Sequence, residues 1–81
     1  MDIKILGSGC PNCATLHQRT IDALAALELA AEVQKVEDPI EIAKFLVLTT
    51  PALVVNGKVK VAGRVPVIQQ ISRYILEEMP R

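Results

Sequence analysis

Two cysteines, separated by two residues, are the side chains of this sequence best suited to chemistry. Cys10 and Cys13 are its only cysteines, and Pro11 and Asn12 lie between them. Two thiols at this spacing can form and break a disulfide, in a reaction whose nucleophile is an accessible thiolate. Two glycines just ahead of the pair let the chain turn sharply and expose the first sulfur. A Cys-x-x-Cys pair between a strand pattern and a helix pattern therefore indicates a redox motif.

The two sulfurs are expected to play different roles. Cys10 is expected to be the N-cap of a helix, because the next residue, Pro11, suits the first helical position. Backbone N–H groups and the positive end of the helix dipole would then favour the thiolate of Cys10. Cys13, one turn into the helix and on its apolar side, is expected to be buried. We therefore predict Cys10 as the nucleophile and Cys13 as the resolving cysteine.

Hydrophobic periodicity predicts the elements on either side of the cysteines. An apolar run at residues 3–6 predicts a short strand, and residues 11–28 predict a helix. The apolar stripe of that helix contains Cys13, Leu16, Thr20, Leu24 and Leu27, widened by Ile21. Residues 31–36 predict a second strand, with a bulge or a strand end near Lys35 because the apolar residues do not alternate regularly.

The middle of the chain has a strong helix start and a clear helix break. Asp38 is a capping residue, Pro39 suits the first helical position, and Glu41 completes a capping box. The helix is expected to run to about residue 45 or 47. Thr50 and Pro51 then end the helical pattern, because proline disfavours helix at the residue before it.

The last third predicts a hairpin and a helix. Residues 52–55 form an unbroken apolar run, as expected of a strand covered on both faces. Asn56-Gly57 is a strong hairpin signal, and residues 58–61 alternate beyond it with their lysines directed to water. A final helix should open at Pro66 and close at Pro80. Its apolar stripe contains Val67, Ile68, Ile71 and Ile75.

Together these elements predict an α/β fold with the order β-α-β-α-β-β-α. The strand–helix–strand opening implies a parallel pair joined by a right-handed crossover, and the hairpin adds an antiparallel pair. Of the 81 residues, 51% are hydrophobic, which suffices for one core in a chain of this length. We therefore predict a single domain over residues 1–81, with a four-stranded mixed sheet and helices on both faces.

Four segments of the sequence resemble a known family. They are the Cys-Pro-Asn-Cys motif, Asp38-Pro39, residues 50–58 and residues 63–66. In this order they resemble the thioredoxin fold in its small, glutaredoxin-sized form. The resemblance is strongest to the thioredoxin-like redox-active disulfide proteins of bacteria and archaea, and it covers nearly the whole chain.

The resemblance implies a thiol–disulfide oxidoreductase, acting as a protein disulfide reductase or a small electron carrier. In that family the proline that matches Pro51 is cis, faces the disulfide and helps to keep metal off the cysteines. The residue that matches Thr50 pairs its backbone with that of the substrate. The implied partners are a protein disulfide substrate and a reductase that the sequence does not identify, with no cofactor.

Several features of neighbouring families are absent. The tryptophan that precedes the cysteines of thioredoxin proper is missing, as is the lysine upstream of the glutaredoxin motif. Residues 61–64 read Val-Ala-Gly-Arg, where glutaredoxins have a Gly-Gly-x-Asp-type turn that holds a glutathione carboxylate. Neither use of glutathione nor reduction by a standard thioredoxin reductase therefore follows from the resemblance.

Other interpretations of the two cysteines stay open. A structural disulfide closing so short a loop contributes only about 2 kcal/mol in the chain-entropy model. A copper or zinc carrier, or a thiol-based binding module, would use the same two sulfurs and is the alternative function. With His17 they supply three ligands, short of a closed zinc site, and we assign no metal ligands. Copper-carrier domains also have a different element order, β-α-β-β-α-β.

Composition narrows the set of partners and the location. Nine basic and nine acidic residues cancel, so charge does not favour a nucleic acid or an anionic membrane. No apolar run approaches the roughly 18 residues of a membrane span, and the first residues lack signal-peptide features. We expect a cytoplasmic monomer. His17 is expected to be a partly exposed surface residue, and Lys58, Lys60 and Arg64 a solvated edge without assigned function.

Overall fold

The computed structural model describes residues 1–7 and 11–79, and contains four strands and three helices in the predicted order. The elements are β1 (Asp2–Leu6), α1 (Pro11–Ala26), β2 (Glu32–Val36), α2 (Pro39–Ala43), β3 (Ala52–Val55), β4 (Lys58–Ala62) and α3 (Ile68–Glu77). The predictions for Cys10, and for Pro80 as a helix end, lie outside the described residues. Within the described ranges, no helix is long and apolar enough to cross a membrane.

The four strands form one mixed sheet with the order β2-β1-β3-β4. β1 runs parallel to β2 and antiparallel to β3, and β3 runs antiparallel to β4. Asn56 and Gly57 join β3 to β4 with φ values of 51° and 81°, as a two-residue hairpin with both central residues left-handed requires. The predicted mixed sheet and hairpin are confirmed, and β4 lies at an edge as expected.

Both faces of the sheet are covered. Side chains alternate between the two faces along each strand, so one strand can contribute to a core cluster on either side. Ile3 and Ile5 of β1 pack with buried residues of α1 and α3 in the larger core cluster. Leu6 belongs to a second cluster, which includes Ile42 of α2 and Phe45 just after it. Helices therefore lie on both faces, as predicted.

Of the two alternatives predicted near Lys35, a bulge or a strand end, the structure has the strand end, because β2 ends at Val36. β2 pairs with β1 residue by residue, from Glu32 opposite Asp2 to Val36 opposite Leu6. Val33 packs against the larger cluster and Val36 against the smaller one. Their spacing of three residues is regular alternation in a strand that contributes to both faces.

A register shift instead interrupts the hairpin, where the alternation looks regular. Leu53 pairs with Val61, but Val54 pairs with Val59, so Lys60 is the extra residue of a β-bulge. The Lys60 side chain is only 13% exposed, and its Nζ lies 2.7 Å from a carboxylate oxygen of Glu78. This hydrogen bond raises the pKa of Lys60 and lowers the pKa of Glu78. The expectation that both lysines of β4 point to water is therefore wrong for Lys60.

Helix α1 ends two residues before its predicted boundary. Glu28 adopts a left-handed φ of 55°, and the N–H of Leu29 donates to the carbonyl of Leu24 at 3.0 Å. This is the hydrogen-bond pattern of a Schellman cap. The predicted stripe also needs one correction, because Ile21 is 39% exposed while Ala23 is fully buried.

The ends of the other two helices differ partly from prediction. The N–H of Ile40 donates to the Asp38 carboxylate at 2.9 Å, which confirms the cap. Glu41 does not complete the predicted box, since its carboxylate accepts from Lys44 at 3.0 Å. α2 ends at Ala43, earlier than predicted. α3 begins at Ile68 rather than at the preceding proline, so Val67 is its N-cap and is 58% exposed rather than in the stripe.

Candidate functional site

Cys13 lies in the first turn of α1, on the buried side of the helix. Its side chain is only 8% exposed, and Leu16 and Thr20 continue the same buried face. The hydroxyl of Thr20 donates to the carbonyl of Leu16 at 2.8 Å, so the polar atom on this face is satisfied. The Cys13 sulfur is disulfide-bonded. The predicted burial of Cys13 is confirmed.

Gly7 joins the three segments that surround the Cys13 sulfur. Its φ of 146° favours glycine, and its N–H donates to the carbonyl of Val36 at 2.9 Å. A β-carbon at Gly7 would overlap the sulfur of Cys13. The same point lies 3.4 Å from Cβ of Thr50 and 3.7 Å from Cα of Pro51. The end of β1, the start of α1 and the segment before β3 therefore meet at this glycine.

The peptide bond between Thr50 and Pro51 is cis, as the resemblance predicts. Pro51 is buried, whereas Thr50 beside it is exposed. The carbonyl of Pro51 accepts from the N–H of Gly63 at 2.8 Å, and a β-carbon at Gly63 would lie 2.6 Å from the hydroxyl of Thr49. The turn after β4 thus holds this segment in place while Thr50 stays accessible.

The five predicted site residues other than Cys10 therefore lie at one end of the sheet. Cys13 and the Thr50–Pro51 segment both approach Gly7, and Pro11 and Asn12 are exposed at the start of α1. The carbonyl of Pro11 accepts from the hydroxyl of Thr15 at 3.0 Å, which holds the first turn of the helix.

A cavity of about 320 Å³ is lined in part by Cys13. Its described lining residues come from β1, the start of α1 and the end of β2: Ile5, Gly7, Pro11, Cys13, Ala14, Lys35 and Glu37. Most of this lining is apolar, and the two charged side chains are exposed. Lys35 and Glu37 were not among the site residues predicted from the sequence. The signal available was their place at the end of β2, because the carboxyl ends of adjacent parallel strands meet at one edge of a sheet.

His17 lies one helical turn beyond Cys13 and is partly buried, in agreement with the expectation of a partly exposed residue. Burial lowers the pKa of His17 below its usual 6.5, and the nearby positive charge of Lys35 lowers it further. Among residues 1–7 and 11–79, no three His, Cys, Asp or Glu side chains come together in a way that could hold a metal ion.

A family model described as a thioredoxin domain matches residues 1–76 of this chain. The chain belongs to the thioredoxin-domain family. Over 75 residues it is 32% identical to a thioredoxin of Methanothermobacter thermautotrophicus, covering 93% of this chain and 97% of that protein. Over 69 residues it is 33% identical to a thioredoxin of Methanocaldococcus jannaschii, covering 85% of this chain and 79% of that protein.

These comparisons confirm the predicted family, a small thioredoxin-like group with archaeal members, and the α/β fold. As a member of the thioredoxin-domain family, the protein is a thiol–disulfide oxidoreductase that acts on protein disulfides. The observed order of elements, with two helices before the hairpin, is also not the order of the copper-carrier domains weighed above.

Proposed function

We propose that this thioredoxin-domain protein uses Cys10 and Cys13 as a redox couple that passes two electrons to a protein disulfide. In this role it acts as a disulfide reductase or a small electron carrier, as a single domain over residues 1–81 and as a cytoplasmic monomer. The observation that carries the proposal is the meeting of the Cys13 sulfur with the Thr50–Pro51 segment at Gly7. This contact places the buried sulfur proposed to resolve the mixed disulfide close to the exposed Thr50, where a client backbone would pair.

In the proposed reaction the Cys10 thiolate attacks one sulfur of the client disulfide. A mixed disulfide forms, and the other client sulfur leaves as a thiolate. Cys13 then attacks the Cys10 sulfur, releases the second client thiolate and leaves the Cys10–Cys13 disulfide. The client gains two electrons and the protein loses two. The burial of Cys13 supports this division, because an 8% exposed sulfur is poorly placed to meet a protein client first.

The client backbone is proposed to pair with Thr50. The exposure of Thr50, next to a buried Pro51, supports this role. Backbone pairing of this kind gives affinity without demanding a particular side chain, so it suits a protein that acts on several clients. The reductant that returns electrons to the pair is proposed to be a separate partner.

Trapping the mixed disulfide tests this function. Reduced Cys13→Ser protein, mixed with a disulfide-bonded model protein, should form a stable adduct through Cys10, because the resolving thiol is absent. Cys10→Ser protein is the matched control and should form little adduct under the same conditions. Mass spectrometry of the alkylated products gives both amounts.

Two outcomes would overturn the proposal. One is faster adduct formation by Cys10→Ser than by Cys13→Ser, which would reverse the assigned roles. The other is tight Cu(I) or Zn(II) uptake by the wild-type protein without any adduct in either variant, which would favour the metal-carrier alternative.

A further inference from the structure

Arg64 is an exposed cation that the proposed function leaves unused, and it lies next to the segment where the client is proposed to bind. The N–H of Gly63 donates to the carbonyl of Pro51 at 2.8 Å, which extends the pairing of Ala62 with Ala52 by one residue. Hydrogen-bonded antiparallel pairs have Cα atoms about 5.5 Å apart, and consecutive Cα atoms are about 3.8 Å apart. The Cα of Arg64 therefore lies at most about 9 Å from the Cα of Pro51.

The turn that carries Arg64 packs closely against the client segment. Gly63 has a left-handed φ of 81°, and a β-carbon there would lie 2.6 Å from the hydroxyl oxygen of Thr49. A residue with a side chain could not take this conformation and this close approach without moving Thr49. The position of the Arg64 backbone next to Thr49 and Thr50 is therefore fixed, while its long side chain is exposed to water.

The positive charge of Arg64 is available to a partner. Within residues 1–7 and 11–79, four lysines form ion pairs with Asp or Glu: Lys4, Lys44, Lys58 and Lys60. Arg64 forms no such pair with any residue of these two ranges. The charged residues that line the cavity, Lys35 and Glu37, have opposite signs and so contribute little net charge. Arg64 therefore gives one side of the client segment a positive charge that no described carboxylate offsets.

A carboxylate on the client would complement this charge. A guanidinium group binds a carboxylate with two parallel hydrogen bonds, and Asp and Glu are the side chains that offer this group. A client held by its backbone at Thr50 would bring only residues near its own cysteine past Arg64. An extended chain advances about 3.3 Å per residue, so the distance from Pro51 to Arg64 corresponds to about three residues.

We propose that Arg64 selects protein clients that carry an Asp or Glu within about three residues of the disulfide-bonded cysteine. The proposal rests on the function proposed above and names the class of client that the same site prefers. Arg64 acts on the docking of the client, and the exchange of sulfurs and electrons stays as described for Cys10 and Cys13. Arg64 is therefore a specificity-determining residue and not a catalytic one.

A set of short peptides tests this selection. Each peptide has one cysteine, blocked as a mixed disulfide with pyridine-2-thiol, and carries Glu, Gln or Lys at one of the three positions on either side of that cysteine. Attack by Cys10 of the reduced protein on the peptide sulfur releases pyridine-2-thione, an uncharged product whose absorbance gives the rate. Each rate is divided by the rate of 2-mercaptoethanol with the same peptide, which removes the reactivity of the peptide itself.

The wild-type protein should prefer the acidic peptides. At one or more positions it should react with the Glu peptide about three- to tenfold faster than with the Lys peptide, since an exposed ion pair changes a rate by up to about fivefold and the Lys peptide replaces attraction by repulsion. Arg64→Lys should keep this order because it keeps the charge. Arg64→Gln should bring the ratio close to one, and Arg64→Glu should reverse it. All of these preferences should shrink at high salt.

Arg73→Glu is the matched control, because it makes the same charge change at an exposed position in the second turn of α3. It should leave the preference for the Glu peptide unchanged. Peptides are compared within each variant, so a general loss of activity does not alter the ratios.

Equal wild-type rates for the Glu and Lys peptides at every position would overturn the inference, as would an equal change of the ratio in Arg64→Glu and Arg73→Glu. The Cys13→Ser protein separates this failure from a failure of the proposed function. If that variant forms the peptide adduct on Cys10 without a charge preference, only the role of Arg64 is wrong. If it forms no adduct with any peptide, the proposed function is wrong.

Discussion

Replacement of Gly7 by alanine tests whether the packing around the Cys13 sulfur depends on a missing side chain. Gly7 has a φ of 146°, and an added β-carbon would overlap the Cys13 sulfur and contact Thr50. The backbone strain of a non-glycine residue here costs about 1–3 kcal/mol. Overpacking of a buried site adds about 1–3 kcal/mol. Gly7→Ala should therefore lower the free energy of unfolding by about 2–6 kcal/mol, a large part of the roughly 4–12 kcal/mol expected for 81 residues.

Gly57→Ala is the matched control, because it separates the overlap from the backbone strain. Gly57 also has a positive φ, of 81°, but a β-carbon there would have no neighbour within 4 Å. Its replacement should cost only the strain component. Urea unfolding of the oxidised proteins, analysed by linear extrapolation, measures both changes. The difference between the two variants should be about 1–3 kcal/mol.

The same pair of variants links this packing to function. Gly7→Ala must shift the Cys13 sulfur, the Thr50–Pro51 segment or both, so it should slow reduction of a protein disulfide. Gly57→Ala, at the hairpin turn, should leave that rate nearly unchanged. A Gly7→Ala protein as stable as Gly57→Ala would refute the reasoning, since the overlap would then have no energetic consequence.

Three further predictions concern pH, capping and backbone strain. Because burial and Lys35 lower the pKa of His17, unfolding takes up a proton, and stability falls as the pH drops below 6.5 through the folded pKa. His17→Gln should therefore flatten this part of the plot of urea midpoint against pH. Lys35→Gln should raise the pKa of His17 measured by NMR. Asp38→Ala should cost about 1 kcal/mol in urea unfolding by removing the acceptor for the Ile40 N–H, and an equal loss in Glu41→Gln would contradict this assignment. Leu46→Asn should stabilise the protein by up to about 1 kcal/mol in the same assay, because Leu46 is 90% exposed at a φ of 59°; a loss of stability would show that the leucine side chain has a role.

Local signals in the sequence were sufficient to predict the conformation wherever it depends on interactions within a few residues. Asp38 caps α2, and Asn56 and Gly57 form the hairpin turn, because each effect acts within a few residues. The errors lie where a neighbouring element decides. Val33 and Val36 looked irregular because the pattern alone did not show that both faces of β2 would be covered. The bulge at Lys60 escaped notice because register is a property of two strands.

The candidate site divides in a similar way. The sequence placed Cys13 on the buried side of a helix, and the resemblance assigned Pro51 its cis bond. The sequence contained no direct sign that Gly7 would lie against both segments, because more than 40 residues separate Gly7 from Pro51. That contact depends on the antiparallel pairing of β1 with β3.

By itself the sequence determined the order of the elements, the position of Cys13 in the first turn of a helix, and the break before β3. These follow from periodicity, capping and proline, which act within one or two turns of chain. Only the tertiary structure decided what surrounds the sulfur. The parallel pairing of β1 with β2 brings Lys35 and Glu37 to a cavity beside Cys13, and such contacts are set by sheet register and helix packing.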